Sequence, residues 1–432
     1  MGKKYNFYFF IVIISFITFI AAYLQAGSGY TSTSNSTKNR TEWNQYRGPN
    51  RDGVSIETGI IKIWLKKPPE VLWKKTIGEG YSEVTVSAGK LFSMWDEGSS
   101  QYLFCLEPQT GKEIWRYKVG NSFKSGYGNG PRSTPLIDGD IVYTVSTEGH
   151  IYALNVNNGK VIWDCDLVKE YGSQSLTYGY SSSPLIDEDK IFLDVGGKKD
   201  YAFVALNKKT GKLIWHSQTD ELSYSSPIAI TVNGTRQIVF LSAKGLFAVS
   251  PENGDLYWFS EWKARCPASG IPVNFATPVF ISPDKIFISG SFGTVNGASL
   301  LQITKEKNSF KTKSVWTNTE MKNLVNTSVY YGNHIYGFDD SILKCIDVST
   351  GEEKWSARGY RRGTVIAVDG HLIVLGERGK LALIEATTDK FNEISSKQIL
   401  ESDRCWTNPS IANGKLYLRD HEEMVCLNLK AN

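Results

Sequence analysis

The chain has 432 residues and a net charge of +4, with basic and acidic residues interspersed along its length. So small a charge does not indicate a polyanionic partner, and nucleic-acid binding is not expected. The composition of 12 Trp, 22 Tyr, 20 Phe and 39 Gly against 4 Met is typical of many short strands joined by tight turns.

The N-terminus predicts export. Lys3 and Lys4 precede the uncharged run 7–24, which is long enough to span a bilayer. Residues 1–26 are therefore predicted to be either a cleaved signal peptide or an N-terminal membrane anchor, and residues 27–42 a flexible polar tether. The rest of the chain is expected in the periplasm or on the outer face of the cytoplasmic membrane of a bacterium, with membrane contact only through the N-terminal segment.

From residue 70 onward the sequence repeats one unit. Each copy has an apolar strand, a turn rich in Gly, Asn or Asp, a second apolar strand, and a third strand that leads through a turn such as TGK into a fourth strand. The first turn occurs eight times, which predicts eight hairpins. The fourth strands carry Trp residues 39 to 58 residues apart: Trp73, Trp115, Trp163, Trp215, Trp258, Trp316 and Trp355.

The copies predict a closed ring. The eighth copy stops after its third strand, whereas the segment EVLWKK around Trp73 is a fourth strand with no third strand before it. Eight units of about 45 residues match the four-stranded blade of a β-propeller. We therefore predict an all-β, eight-bladed propeller with four-stranded antiparallel blades over residues 43–432, closed by the N-terminal strand around Trp73, which removes free sheet edges.

The seven repeated Trp residues are predicted to be structural. The fourth strand is the outermost of its blade, and the Gly of the turn before it permits a tight hairpin. An indole has a large apolar face and one N–H donor, so we expect these residues to pack between neighbouring blades and to donate to backbone carbonyl groups.

The cysteines and histidines predict no metal centre, because there is no CxxC or CxxCH motif and the five His residues share no spacing. Cys165, Cys266 and Cys405 are assigned to connecting loops, and a disulfide between two of them stays open. Three further cysteines occupy one place in the repeated third strand and are predicted to be small buried hydrophobes: Cys105, Cys345 and Cys426.

Repeats of the form L-(D/N)-x-x-(T/N)-G-K-x-x-W, eight in a ring, resemble the quinoprotein type, which is named after the pyrroloquinoline quinone (PQQ) dehydrogenases and shared with the BamB-type outer-membrane assembly protein. The segments WNQYRGPNRDGVS (43–55), YGNGPRSTP (127–135) and CWTNPSIANGKLY (405–417) are similar to a bacterial subfamily of exported PQQ-like repeat proteins. The resemblance covers about residues 43–432. It is specific for the fold and less so for activity, since the family includes enzymes and binding scaffolds.

The family's enzymes would imply PQQ on the propeller axis, calcium held by a Glu, an Asn and an Asp, and a further Asp as general base. They commonly carry a disulfide between adjacent cysteines, and no adjacent pair exists here. No residue of this sequence can be assigned as catalytic or as a metal ligand. PQQ and calcium are therefore not supported by particular residues, and a protein without enzymatic activity is favoured.

The loops that run from each Trp strand to the next blade are predicted to gather around the mouth of the central channel. Planar cations and aromatic rings interleave in them, which suits carboxylates, sugars, extended peptides or a quinone with carboxylates. The candidate ligand-binding residues are Tyr127, Arg132, Tyr178, Tyr180, Trp262, Arg265, Tyr360, Arg361, Arg404 and Trp406. Alternatively, the arginines are paired with loop acids such as Glu170, Glu261, Glu401 and Asp403, and the aromatic residues cap the channel.

Two functions follow. The first is a monomeric, non-catalytic exported scaffold that binds envelope protein segments or glycans through its loop face, with Arg132 as its leading binding residue because it lies where a first strand enters the channel. The second is a PQQ- and calcium-dependent alcohol or sugar dehydrogenase. The enzyme would need carboxylate and amide side chains that converge at the channel mouth, whereas the scaffold needs only a complementary surface.

Overall fold

Each repeat folds into a four-stranded sheet because its apolar runs are short and its turns accept a left-handed backbone. The glycine of the TGK-type turn has a φ between +67° and +76° in five copies, a region that residues with a Cβ adopt only with strain. The turn therefore reverses the chain within a few residues and brings the third strand beside the fourth.

The computed structural model describes residues 41–64, 66–174, 176–307 and 309–431, so the predictions for residues 1–26 and for 27–40 of the tether lie outside the described residues. Within the described ranges, eight successive antiparallel sheets of four blade strands each confirm the eight-bladed propeller. The same part of the chain has no helix that is long and apolar enough to cross a membrane.

In blades 1 to 7 the four blade strands follow one another in the sheet in sequence order, from the channel outward. Blades 1 to 4 comprise β3 to β18: Thr85–Ser87, Lys90–Glu97, Ser100–Leu106 and Glu113–Asn121; Leu136–Asp138, Ile141–Val145, His150–Asn155 and Val161–Asp166; Leu185–Asp187, Lys190–Asp194, Phe203–Asn207 and Leu213–Ser217; Ile228–Val232, Thr235–Leu241, Gly245–Val249 and Leu256–Glu261. A short helix, α1 (Leu167–Tyr171), follows β10.

Blades 5 to 7 repeat the pattern, and blade 8 takes its outer strand from the beginning of the described chain. Blades 5 to 7 comprise β19 to β30: Val279–Ile281, Lys285–Gly290, Gly297–Glu306 and Ser309–Asn318; Val329–Tyr331, His334–Asp339, Ile342–Asp347 and Glu353–Ala357; Thr364–Val368, His371–Leu375, Lys380–Glu385 and Glu393–Gln398. Blade 8 comprises β31 (Ser410–Ala412), β32 (Lys415–Arg419), β33 (Glu423–Asn428) and β2 (Glu70–Thr76). Because β2 pairs with β33 and places Trp73 opposite Cys426, the predicted closure of the ring is confirmed.

Residues 43–55, here called the plug, cross the central channel, which the sequence did not predict. Asn44 exchanges backbone and side-chain hydrogen bonds with Ile137 of blade 2. On the opposite side of the ring, the Arg47 guanidinium donates to the carbonyl oxygen of Thr327, which leads into blade 6, at 2.9 Å. Strand β1 (Val54–Ser55) then pairs in parallel with β27 of blade 7. Since blades 2 and 6 face each other in a ring of eight, the plug spans the channel.

The indole of the outer strand lies on the turn glycine of the next blade at five of the eight blade joints. In five blade joints, a Cβ added to that glycine would lie 2.6 to 2.8 Å from indole ring atoms, closer than atoms can approach. The glycines are Gly111, Gly159, Gly211, Gly254 and Gly351. Six of the seven indoles also donate their N–H to a backbone carbonyl of the next blade at 2.7 to 3.1 Å. Trp and Gly of the repeat are thus the two halves of one contact between blades.

Three joints lack the contact between Trp and Gly. Trp355 donates to the carbonyl oxygen of Thr387, but the turn of blade 7 has no glycine. Trp258 donates to the side chain of Gln237 in its own blade at 2.8 Å, and the following turn lacks TGK. In blade 7, Ser395 lies in the register position that Trp occupies elsewhere. Trp64, buried in the hydrophobic cluster that blades 7, 8 and 1 share, donates its backbone N–H to the Ser395 hydroxyl.

All six cysteines are free, so none of the disulfides left open by the sequence is present. The three cysteines of the third strands are buried, each opposite the Trp of its blade. Cys405 is buried in a connecting loop. Cys165 lies within strand β10 rather than in the predicted loop, because β10 runs beyond Trp163 to Asp166.

Two glycines of blade 2 can test the contact between indole and glycine. Gly159 and Gly139 both have left-handed backbones, at φ +67° and +58°, but only Gly159 has an indole, that of Trp115, against it. Both alanine variants should carry the backbone strain. Gly159→Ala should lose about 1–3 kcal/mol more unfolding free energy than Gly139→Ala, because the new methyl overpacks the joint. Urea unfolding of both variants measures this difference, and equal losses would contradict the contact.

Candidate ligand-binding site at the channel mouth

A ring of hydrogen bonds joins all eight blades where their first strands enter the channel. In five joints, the backbone N–H at one repeat position donates to the side-chain hydroxyl at the same position of the next blade, at 2.9 to 3.4 Å. Side chains of Asn326, Thr364 and Asn408 complete the other three joints. The ring positions are Glu83, Thr134, Ser183, Ser226, Thr277, Thr327, Gly363 and Asn408.

The repeat position two residues before this ring faces a cavity of about 350 Å³ at the channel mouth. Seven of the eight residues at that position line the cavity, and in blade 7 the next residue, Arg362, lines it instead. The seven are Tyr81, Arg132, Ser181, Tyr224, Phe275, Val325 and Trp406. Tyr46 of the plug, together with Glu83 and Asn408 of the ring, also contributes to the lining. Because every blade contributes, the cavity is built by the propeller as a whole.

Aromatic side chains form two walls of the cavity. On one side, Tyr178 contacts Tyr127 and Tyr224 with ring centroids 5.3 Å apart in both pairs, and Tyr224 stacks on Phe275 at 4.9 Å. Elsewhere in the lining, Tyr81 and Trp406 stack at 5.7 Å and 19°. Ring faces of this kind bind flat or apolar groups and orient them.

Arg132 lies half-buried in the lining, and no carboxylate of the described residues pairs with it. Its guanidinium donates to the carbonyl oxygens of Gly130 and Gly128 at 3.1 and 2.9 Å. It also lies 5.2 Å from the ring centroid of Tyr81 and 5.5 Å from that of Phe123. Burial is the main effect on this group, and it lowers the pKa of Arg132. The backbone and the rings hold the cation in place but do not neutralise its charge.

Glu83 is the buried acid of the cavity. Its Oε2 accepts the backbone N–H of Arg47 at 2.8 Å, and its Oε1 accepts the side-chain amide of Asn408. Burial, the largest effect, raises the pKa of Glu83 to about 7 from its ordinary value of 4.5, although Arg47 and Arg51 act in the opposite direction. The carboxyl group is therefore partly protonated near neutral pH.

Four of the ten predicted binding residues line the cavity, and a fifth lies beside one of them. Tyr127, Arg132, Tyr178 and Trp406 line it, and the Arg404 guanidinium lies 5.8 Å from the Trp406 ring centroid. Arg265 pairs with Glu221 at 2.6 Å, and Arg362 pairs with Asp340 at 2.9 Å. Neither partner is one of the loop acids that the sequence suggested for such pairs.

The other five predicted residues do not line the cavity. Tyr180 is buried, and its hydroxyl contacts Ser173 and the carbonyl oxygen of Val195. Tyr360 is also buried, and it donates to Glu393. These hydroxyl groups point into the protein, where burial requires partners. The remaining three are Trp262, which packs against the core of blades 4 and 5, Arg265, which pairs with Glu221, and Arg361, which is exposed.

The sequence contained a signal for the residues that the prediction missed. Tyr81, Tyr224 and Phe275 occupy the same repeat position as Arg132, two residues before the ring position. An alignment of the copies at the Pro before the first strand would have placed Arg132, Tyr224 and Phe275 together, each three residues before that Pro. A search for aromatic and basic residues in long loops overlooked Tyr81 and Tyr224, which lie in shorter loops, and passed over Phe275 within a long one. Tyr46 gave no such signal, because the plug belongs to no repeat.

The residues at the mouth do not fit the calcium site that the family's enzymes imply. Glu83 and Asn408 provide a carboxylate and an amide, but both Glu83 oxygens already accept hydrogen bonds. The buried guanidinium groups of Arg47 and Arg51 act on the same carboxyl group and disfavour a cation there. Asp340, the other carboxylate of the lining, is paired with Arg362. In the described residues no three His, Cys, Asp or Glu side chains form a metal-binding group.

Comparisons with known proteins give the family of the fold. The family model described as outer membrane protein assembly factor BamB matches residues 65–173 and 99–357. BamB of Nitrosomonas eutropha is 26% identical over 215 residues, which cover 48% of this chain and 46% of that protein. The 1-butanol dehydrogenase (cytochrome c) of Thauera butanivorans is 26% identical over 132 residues, 29% of this chain and 18% of that protein. The chain spans less than half the length of these relatives.

A solved structure agrees with the fold. The crystal structure of BamB from Moraxella catarrhalis has a TM-score of 0.58 to this chain at 11% identity, and the match covers 84% of this chain and all of that one. At this identity the similarity concerns the fold alone.

Glu83 should make stability depend on pH. Between pH 4.5 and 7 the folded state binds a proton that the unfolded state has lost, so the unfolding free energy falls as the pH rises through this window. Relative to a Glu83→Gln variant, the wild type should lose on the order of 3 kcal/mol from pH 4.5 to 8. Urea unfolding across this range measures the difference, with the surface variant Glu261→Gln as control. Parallel profiles for wild type and Glu83→Gln would contradict it.

Proposed function

Because the chain belongs to the PQQ-like β-propeller repeat family, we propose that it is a non-catalytic exported scaffold whose channel mouth binds a protein segment or a glycan of the cell envelope. The observation that supports this proposal is the composition of the mouth. Its lining combines aromatic walls with an unpaired guanidinium, while its two carboxylates are engaged with groups of the protein itself. Such a surface is suited to recognising a ligand.

The relatives named BamB support a role in outer-membrane assembly, since they share this propeller. The plug supports the same reading. It closes the channel beneath the mouth and is fixed by buried arginines, so a ligand is held at the loop face and does not pass through the ring. We propose that the protein acts as a monomer, because the ring closes on its own strand.

The second candidate is a quinone-dependent dehydrogenase. The flat cavity between aromatic walls favours it, as do the alcohol dehydrogenases among the relatives. The cationic surroundings of Glu83 argue against its calcium site. Without that ion, the carbonyl groups of a quinone would lack the Lewis acid that the family's enzymes use.

Site-specific crosslinking in cells tests the scaffold. Tyr178→p-benzoylphenylalanine places a photoreactive group in the mouth, and Ile162→p-benzoylphenylalanine places it on the exposed outer strand of blade 2. We expect adducts with envelope proteins or glycans at position 178 and none at position 162 after irradiation.

A parallel assay addresses the enzyme. Purified protein is mixed with PQQ, calcium, a panel of alcohols and sugars, and a redox dye. Dye reduction that depends on PQQ, together with no adduct at position 178, would contradict the scaffold function and support the dehydrogenase.

A further inference from the structure

The mouth contains a positive charge that the protein does not balance. Arg132 has no carboxylate within 4 Å among the described residues, although it is half-buried and its pKa is lowered by that burial. Its partners are two carbonyl oxygens and two ring faces. A buried cation without a counter-charge is costly, so a site that keeps one is suited to an anion.

The comparison with neighbouring arginines makes Arg132 distinctive. Arg362, which lines the same cavity, is paired with Asp340 at 2.9 Å. Arg265, in the loop between blades 4 and 5, is paired with Glu221 at 2.6 Å. The charges of these two arginines are balanced by carboxylates of the protein. Arg132, in contrast, keeps its remaining N–H donors free for a ligand.

A further feature of the lining restricts the ligand. The rings of Tyr178, Tyr224 and Phe275 form an apolar wall of the cavity, which suits an aromatic or aliphatic group. A neutral glycan would leave the charge of Arg132 without a counter-charge.

We propose that the mouth is a subsite for a carboxylate next to an aromatic side chain in a protein segment, with Arg132 as the residue that binds the carboxylate. This inference rests on the proposed scaffold function and names its ligand. A peptide carries both required elements within one residue or two: a carboxylate and a ring. The carboxylate can belong to a chain terminus or to an Asp or Glu side chain, and the cavity of about 350 Å³ holds a group of this size.

Three short peptides with an N-terminal fluorophore distinguish the sources. The first ends in Phe with a free carboxylate, the second is the same peptide with an amidated terminus, and the third is amidated and has an internal Glu before Phe. Binding to the full-length protein is followed by fluorescence anisotropy. We expect the free carboxylate to bind at least about tenfold more tightly than the amide, as a charge-assisted hydrogen bond to Arg would give. Tight binding of the third peptide would assign the carboxylate to a side chain.

The variant Arg132→Gln makes the test specific. It should bind the free carboxylate and the amide equally, because it removes the group that distinguishes them. Its binding of the amide and its urea midpoint show that it is folded. Arg265→Gln, which removes an arginine outside the cavity, should keep the preference of the wild type.

The inference is overturned if no peptide binds below roughly 1 mM, an affinity of about 4 kcal/mol. It is also overturned if the wild type binds carboxylate and amide alike, or if Arg132→Gln keeps the preference. If crosslinks still form at position 178 in cells, only the carboxylate subsite fails and the scaffold stands. If they are absent as well, both proposals fail.

Discussion

The propeller depends on the contact between an indole and a glycine of the next blade. A flat blade has two apolar faces and cannot bury them alone, so each must lie against a neighbour. The Trp fills the outer part of that joint, where blades splay apart, and its N–H donates to a carbonyl three residues before the glycine in five joints. The glycine is needed twice, for the left-handed turn and for the space that the ring occupies. Near the axis, the ring of hydrogen bonds at the strand entries joins each blade to its neighbour.

The fold could be predicted from the sequence because both of its determinants are local and repeated. The spacing of the Trp residues gave the blades, and the unmatched strand around Trp73 gave the closure. The plug could not be predicted in this way. Arg47 bonds to Thr327, 280 residues away, and no repeat links the two. Only the folded ring shows that its arginines satisfy carbonyl groups at the entries of blades 6 and 3.

The site was partly predictable, and the errors have a common cause. Long loops with mixed aromatic and basic residues led to Tyr127, Arg132, Tyr178 and Trp406, which do line the cavity. The same criterion selected Tyr180 and Tyr360, whose hydroxyl groups turn inward to bonded partners. Whether a loop residue faces the channel depends on its distance in sequence from the first strand, and that rule would have found Tyr224 and Phe275. The raised pKa of Glu83 results from its burial, which could not be predicted from the sequence.

The closure of blade 8 has a consequence for the order of folding. Strand β2 forms early in the chain and β33 forms near its end, so they can pair only when almost the whole propeller has been synthesised. Until then, β2 and the open edge of the growing stack are unpaired strands that could join other chains. The plug also reaches its native contacts only when almost all blades have been synthesised, because its partners are spread from blade 1 to blade 7. The protein should therefore need protection from premature pairing during its synthesis, and a short delay between translation and closure would favour the native ring.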